Sequence, residues 1–164
     1  MLVPAVAYKA EIEKAFAKEL YTDRYFYYVG YSHCGTVPEV NPDDCLYQYA
    51  IVNKEGKLVG YLSYRVDPNA SNVYSFGLYS FDRGNPLIGI DLFSEMEKLV
   101  KRYHRIEWRM VGGNPVKKHY DKFCAKHGGN VVKLHDVCKD VDGNYHDEYL
   151  YEIVKGGARN GGNR

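Results

Sequence analysis

The sequence predicts an α/β domain of the α+β kind, strands gathered into hairpins and helices set between them. Three observations carry this. Residues 46–53 and 57–66 are β-rich runs separated by Lys54-Glu55-Gly56, the spacing of a hairpin with a short glycine-containing loop. Asn-Pro opens a helically spaced run twice, at Asn85-Pro86 and at Asn114-Pro115, with asparagine as the cap and proline at the first helical position. Two further β-rich runs, 130–138 and 145–154, flank Asp142-Gly143, a strong turn signal.

Composition bounds the rest. The chain has 164 residues, 45% hydrophobic and 26% charged, the profile of one globular domain over residues 1–155. A chain of this length buries roughly 70% of its unfolded surface, so a core is expected without a metal or disulfide staple. With 22 Lys+Arg against 21 Asp+Glu the net charge is +1, which argues against nucleic acid as a main partner. No apolar run approaches the roughly 20 residues that cross a bilayer, and Met1 to Ala7 lacks the basic start and long apolar stretch of a signal. The expected location is cytoplasmic, with no membrane partner. Cys34, Cys45, Cys124 and Cys138 show no C-x-x-C spacing and suit reduced thiols. Seventeen tyrosines suit strands and half-buried cores better than a special surface.

Along the chain, Tyr8, Ile12, Phe16 and Leu20 recur every four residues and put an apolar stripe on a packing helix over 8–20. The aromatic stretch 21–31 follows neither period, and 36–44, with Pro38 and Pro42, reads as a loop. After the first hairpin, 68–72 is a turn and 73–81 a third strand, with Gly77 marking a bulge or close approach. Ile88, Leu92, Met96, Leu99 and Val100 keep helical spacing to about Tyr103, 105–111 is a strand, and the second Asn-Pro helix runs to His127 before Gly128-Gly129 ends it. Residues 156–164, all Gly, Asn, Arg and one Ala, predict a disordered tail.

Two places carry candidate chemistry. The junction Phe81-Asp82-Arg83-Gly84-Asn85-Pro86-Leu87-Ile88-Gly89 leads a strand into a helix N-terminus, where free N–H groups and the helix dipole suit an anion such as a pyrophosphate, and Arg83 adds a charge. It has neither the Walker nor the dinucleotide spacing. Asn114 opens the next helix with Tyr120 about two turns on; a phenol with pKa near 10 can protonate a departing thiolate. Cys124, His127, His135 and Cys138 form two metal-like pairs, but the second falls on a strand, where residues three apart face opposite sides, so no metal is expected. Asp140, Asp142 and Asn144 read as a hairpin turn, since Gly143 comes too early for a calcium loop.

This order of elements, from residue 46 to 154, resembles the GNAT superfamily of acetyl-CoA-dependent N-acetyltransferases. The resemblance implies a mixed, mostly antiparallel twisted sheet flanked by helices, splayed between the strand ending near Phe81 and the strand 105–111. The pantetheine arm of the coenzyme would lie in the split, and Gly77 would suit the bulge that opens it. The family holds the pyrophosphate on a turn reading Arg or Gln, two residues, Gly, one residue, Gly or Ala. Here Arg83 or Gly89 fills one of those positions in either register, and Pro86 removes a donor. Phe81, Arg83, Gly84, Asn85, Leu87, Ile88, Gly89 and Asn114 become the expected coenzyme contacts and Tyr120 the expected acid, one residue closer to its asparagine than usual.

The implied reaction moves acetyl from acetyl-CoA to an amine of a small molecule or protein by direct attack in a ternary complex. The attacking amine must be neutral, and Asp82 and Glu107 are the candidate bases, because the strand 73–81 holds no acid. The segments 21–31 and 36–44 would wall the acceptor site, and a homodimer is an allowed assembly. The competing reading is a non-catalytic module on the same fold, binding a partner protein or a CoA-like ligand. A third, an RNA-binding domain using aromatic strands and the tail, predicts strongly salt-dependent association with single strands.

Overall fold

The computed structural model describes residues 1–28, 37–41 and 43–156. Cys34, Thr36 and Pro42 of the expected 36–44 loop, residues 29–31 of the 21–31 stretch and all but the first residue of the expected tail lie outside the described residues.

Seven strands form a sheet in the order β1-β2-β3-β4-β5-β7-β6. They are β1 (Leu2–Pro4), β2 (Leu46–Val52), β3 (Leu58–Asp67), β4 (Asn72–Ser80), β5 (Arg105–Val111), β6 (Asn130–Lys139) and β7 (Tyr145–Val154). Every neighbour pair is antiparallel except β4 with β5. The helices are α1 (Lys9–Thr22), α2 (Pro86–Arg102) and α3 (Lys117–Lys126). The mixed, mostly antiparallel sheet flanked by helices is the expected one. Strand β1 is an addition: Leu2 and Val3 pair with Ile51 and Ala50 at the edge, where Pro4 is tolerated.

The two faces carry separate cores because side chains alternate along each strand. On one face, Leu92 and Met96 of α2 and Phe123 of α3 pack on Leu62, Trp108 and Tyr151. On the other, Ile12 and Phe16 of α1 pack with Phe26 on Ala50, Tyr61 and Tyr79. The four-residue stripe expected of α1 thus buries its two middle members, and the helix covers only the β1–β4 half of its face.

Helix α2 starts as expected: Asn85 Oδ1 accepts the Leu87 N–H at 3.0 Å and Pro86 takes the first position. Helix α3 starts later than expected. Asn114 Oδ1 accepts the Val116 N–H at 3.1 Å and Lys117 N–H donates to the Asn114 carbonyl, so Asn114 closes a turn that precedes the helix instead of capping it. The helix ends on Gly128 at φ +65, and Gly129 N–H returns to the Cys124 carbonyl.

Candidate active site

The parallel strands β4 and β5 pair at Asn72↔Arg105, Val73↔Ile106 and Phe76↔Trp108, and then part. Between the second and third pairs β4 has one residue more than β5, a bulge in which Ser75 adopts φ +49. The extra residue puts Val73 and Phe76 on the same face. Beyond it β4 stays with β3 as far as Gly60↔Ser80, while β5 stays with β7 as far as Val111↔Glu148. Two strands committed to different partners leave a wedge between them, with Gly77 on its wall and a cavity of about 290 Å³ inside.

The sequence-expected residues divide around this cavity. Arg83, Gly84, Asn85, Ile88 and Gly89 line one end, and Asn114 and Tyr120 line the opposite wall. The Arg83 and Gly84 N–H groups form no hydrogen bond among the described residues. A Cβ on Gly84 or Gly89 would meet nothing within 4 Å, so backbone is open to a ligand there. Gly84 also sits at φ +86, which turns the chain from β4 into α2.

Four expected residues lie elsewhere. Phe81 packs edge-on against Phe16 in the α1 core, because it falls on the face opposite the one that α2 covers. The Leu87 N–H is taken by the Asn85 cap. Asp82 accepts from Asn85 Nδ2 at 2.9 Å and serves the turn itself. Glu107 pairs with Arg105 at 2.6 Å and lines a shallow depression with Cys45 and Asp67, at the end of β5 away from the split. Neither carboxylate expected to act as base therefore faces the cavity.

Tyr120 is buried at the cavity wall against Trp108, Tyr151 and Phe93. Its hydroxyl has no hydrogen-bond partner among the described residues, and desolvation pushes its pKa well above the ordinary tyrosine value. The phenol stays protonated and neutral throughout the physiological range.

Residues 23–28, left unassigned by periodicity, form a strap over the same end of the sheet. Tyr28 lines the cavity and donates to the Gly113 carbonyl at 2.9 Å. Tyr27 stacks on His146, whose Nε2 lies 2.9 Å from Asp140 Oδ2, and Arg24 pairs with Asp142. Asp23 accepts from the Tyr79 hydroxyl at 2.6 Å and from Arg83. Burial works to raise the Asp23 pKa, but the bonds from Tyr79, the Tyr25 N–H and Arg83 hold it below the usual value. Arg83 also lies over the Tyr25 and Tyr28 rings. Arg109, on the β5 side of the wedge, is a further lining residue that spacing did not single out.

Among the described residues no group of three or more His, Cys, Asp or Glu side chains is arranged to hold a metal ion. Cys124 is buried, with Sγ 3.5 Å from the Asn130 carbonyl, and burial raises its thiol to about 11. His127 instead turns to Glu97 and His135 to Asp147. No helix among the described residues is long and apolar enough to cross a membrane.

No protein-family model and no curated protein sequence matches the chain. Solved structures do. The ribosomal L7/L12 alpha-N-protein acetyltransferase RimL, in complex with coenzyme A, superposes with TM-score 0.64 at 13% identity, covering 93% of this chain and 92% of that one. The ribosomal-protein-S18-alanine N-acetyltransferase from Escherichia coli gives 0.57 at 13% identity over 75% and 77% of the two chains. The spermidine/spermine N-acetyltransferase SpeG from Vibrio cholerae gives 0.55 at 14% identity over 70% and 68%. The fold is that of the GNAT acetyltransferases, at 13–14% sequence identity to these neighbours.

Proposed function

We propose that the chain is an N-acetyltransferase that moves acetyl from acetyl-CoA to an amine within a ternary complex. The observation that carries this reading is the wedge between β4 and β5, which joins an open-backbone helix entrance at one end to the neutral hydroxyl of Tyr120 on its wall. The coenzyme supplies the thioester. The Arg83 and Gly84 N–H groups and the exposed backbone at Gly89 would receive its pyrophosphate, helped by the α2 dipole. The β4 backbone that β5 no longer pairs beyond Phe76 would hold the pantetheine amides.

Holding both reactants in the wedge supplies much of the rate by itself. The amine lone pair attacks the thioester carbonyl carbon, the C–S bond breaks, and the Tyr120 hydroxyl donates its proton to the departing thiolate sulfur. The nitrogen's surplus proton leaves to solvent, and the Tyr120 phenolate regains a proton before the next turnover. Because Asp82 and Glu107 are bound into other contacts, this reading assigns neither as base.

Calorimetric titration with acetyl-CoA and with desulfo-CoA at moderate salt tests the reading. Micromolar saturable binding, followed by amine-dependent release of free CoA, is the expected result. Absence of binding at millimolar ligand would overturn it and leave a binding module on the same fold.

A further inference from the structure

The wedge has an apex, and a cation stands at it. Arg109 is the first β5 residue beyond the last pair with β4, Phe76↔Trp108. Trp108 and Met110 pack on the α2/α3 face, so by strand alternation Arg109 leaves on the opposite face, where it lines the cavity with its side chain 40% exposed. An arm entering from the β4–α2 turn points its reactive end toward this apex, so whatever attacks it must come close to Arg109.

Arg109 is held there by an unusual partner. Its NH1 donates to Glu148 Oε2 at 2.9 Å, and the Glu148 side chain is 1% exposed. The other carboxylate oxygen, Glu148 Oε1, has no hydrogen-bond partner among the described residues. A buried carboxylate with an orphan oxygen is a standing penalty that an apolar residue of the same size would remove. What Glu148 provides in return is one fixed corner for a guanidinium that otherwise swings freely. The Arg109 Nε–H and NH2 groups have no partner among the described residues, so a residue that lines the cavity keeps two adjacent donors unpaired. Two parallel N–H groups on a fixed plane match the two oxygens of a carboxylate. The neighbouring charged groups are already committed: Arg24 to Asp142, His146 to Asp140, and Asp23 to Arg83 and Tyr79.

We propose that Arg109, positioned by Glu148, anchors a carboxylate of the acceptor, so that the acceptor is an amino-acid-like molecule carrying its amine and a carboxylate a few bonds apart. This rests on the acetyltransferase reading for its chemistry, but the anchor itself is a binding site that can be read without turnover.

The experiment compares acid and amide partners: glycine, alanine, methionine and phenylalanine, each against its carboxamide, in CoA release and in direct calorimetric titration of the protein saturated with desulfo-CoA. The protein is expected to favour the acid of its best pair at least tenfold. Arg109→Lys should keep part of that preference. The double variant Arg109→Met with Glu148→Leu, which leaves no buried charge unpaired, should bring acid and amide within twofold while acetyl-CoA affinity changes less than twofold. Glu148→Gln should raise KM for the acid three- to tenfold at unchanged kcat, with thermal stability equal or higher, a split that a purely structural role would not produce. Equal treatment of acid and amide by the unaltered protein would overturn the proposal. So would a tenfold loss of acetyl-CoA affinity in the double variant, which would assign Arg109 to a coenzyme phosphate. If no amine releases CoA and acetyl-CoA does not bind, the acetyltransferase reading fails by itself; the titrations of the acid and amide pairs, repeated without desulfo-CoA, still decide whether Arg109 selects a carboxylate.

Discussion

Asp23, one residue past α1, holds Arg83 in the turn between β4 and α2, and the same carboxylate oxygen accepts a hydrogen bond from the Tyr79 hydroxyl. A side chain expected to face a pyrophosphate is thus engaged by the strap that walls the other side of the cavity. Any anion arriving at the turn competes with Asp23 for the guanidinium.

Asp23→Asn removes that competition. Acetyl-CoA should bind roughly three- to tenfold more tightly, about 1 kcal/mol, as one charge-assisted contact becomes available. Calorimetric titration of the variant reads this directly. An unchanged or weaker affinity would mean that Arg83 does not reach the phosphates.

The same pair carries a pH signature. The folded-state pKa of Asp23 is lowered despite burial, so its stabilisation is present above the unfolded value of about 3.9 and is lost as pH falls through the folded value. The difference in Tm between the unaltered protein and Asp23→Asn should therefore be constant from pH 5 to 7 and shrink below about pH 4. A difference that holds constant down to pH 2 would show that the carboxylate charge contributes nothing to the fold.

Two glycines should respond oppositely to the same substitution. A Cβ at Gly129 would sit 2.5 Å from the Glu152 carbonyl oxygen and 2.6 Å from Cys124 Sγ. Gly129→Ala should cost about 1–3 kcal/mol by overpacking. Gly89 lies in α2 with nothing within 4 Å of an added Cβ, so Gly89→Ala should add about 0.5–1 kcal/mol through helix propensity. Chemical denaturation measures both. The gain at Gly89 should come with weaker acetyl-CoA binding, because the methyl occupies the space that the pyrophosphate needs.

What the sequence made legible follows from how local each signal is. The β2–β3 and β6–β7 hairpins and the Asn85-Pro86 cap depend on residues within a turn of one another, and they stand within one or two residues of expectation. The element order then sufficed to point to the β4–β5 split. Non-local features were not legible. Leu2 and Val3 form a strand only because Ile51 and Ala50 offer an edge. The bulge was expected at Gly77, yet the strained residue is Ser75, since the place of an extra residue depends on the register of both neighbouring strands. The strap is held by Tyr79, Arg83, Gly113, Asp142 and His146, each at least 50 residues away, so no window around 23–28 could disclose it. Nothing in the pattern of 105–111 sets Arg109 apart; only the end of the β4–β5 pairing, one position before it, does.

Tyr120 offers the sharpest separation of chemistry from structure. Its ring packs on Trp108 and Tyr151, but its hydroxyl contributes no hydrogen bond among the described residues. Tyr120→Phe keeps the packing and deletes only the proton donor, so Tm should stay the same or rise. Acetyl-CoA affinity should stay within about twofold, since the hydroxyl acts only as the C–S bond breaks. The rate of CoA release should fall roughly 10²-fold, the usual contribution of a positioned general acid. Because desolvation holds the Tyr120 proton well above the ordinary tyrosine range, kcat should show no basic limb from this group up to about pH 10. A variant that turns over at the original rate would show that the thiolate departs without help from this side chain, and the wedge would then act by positioning alone.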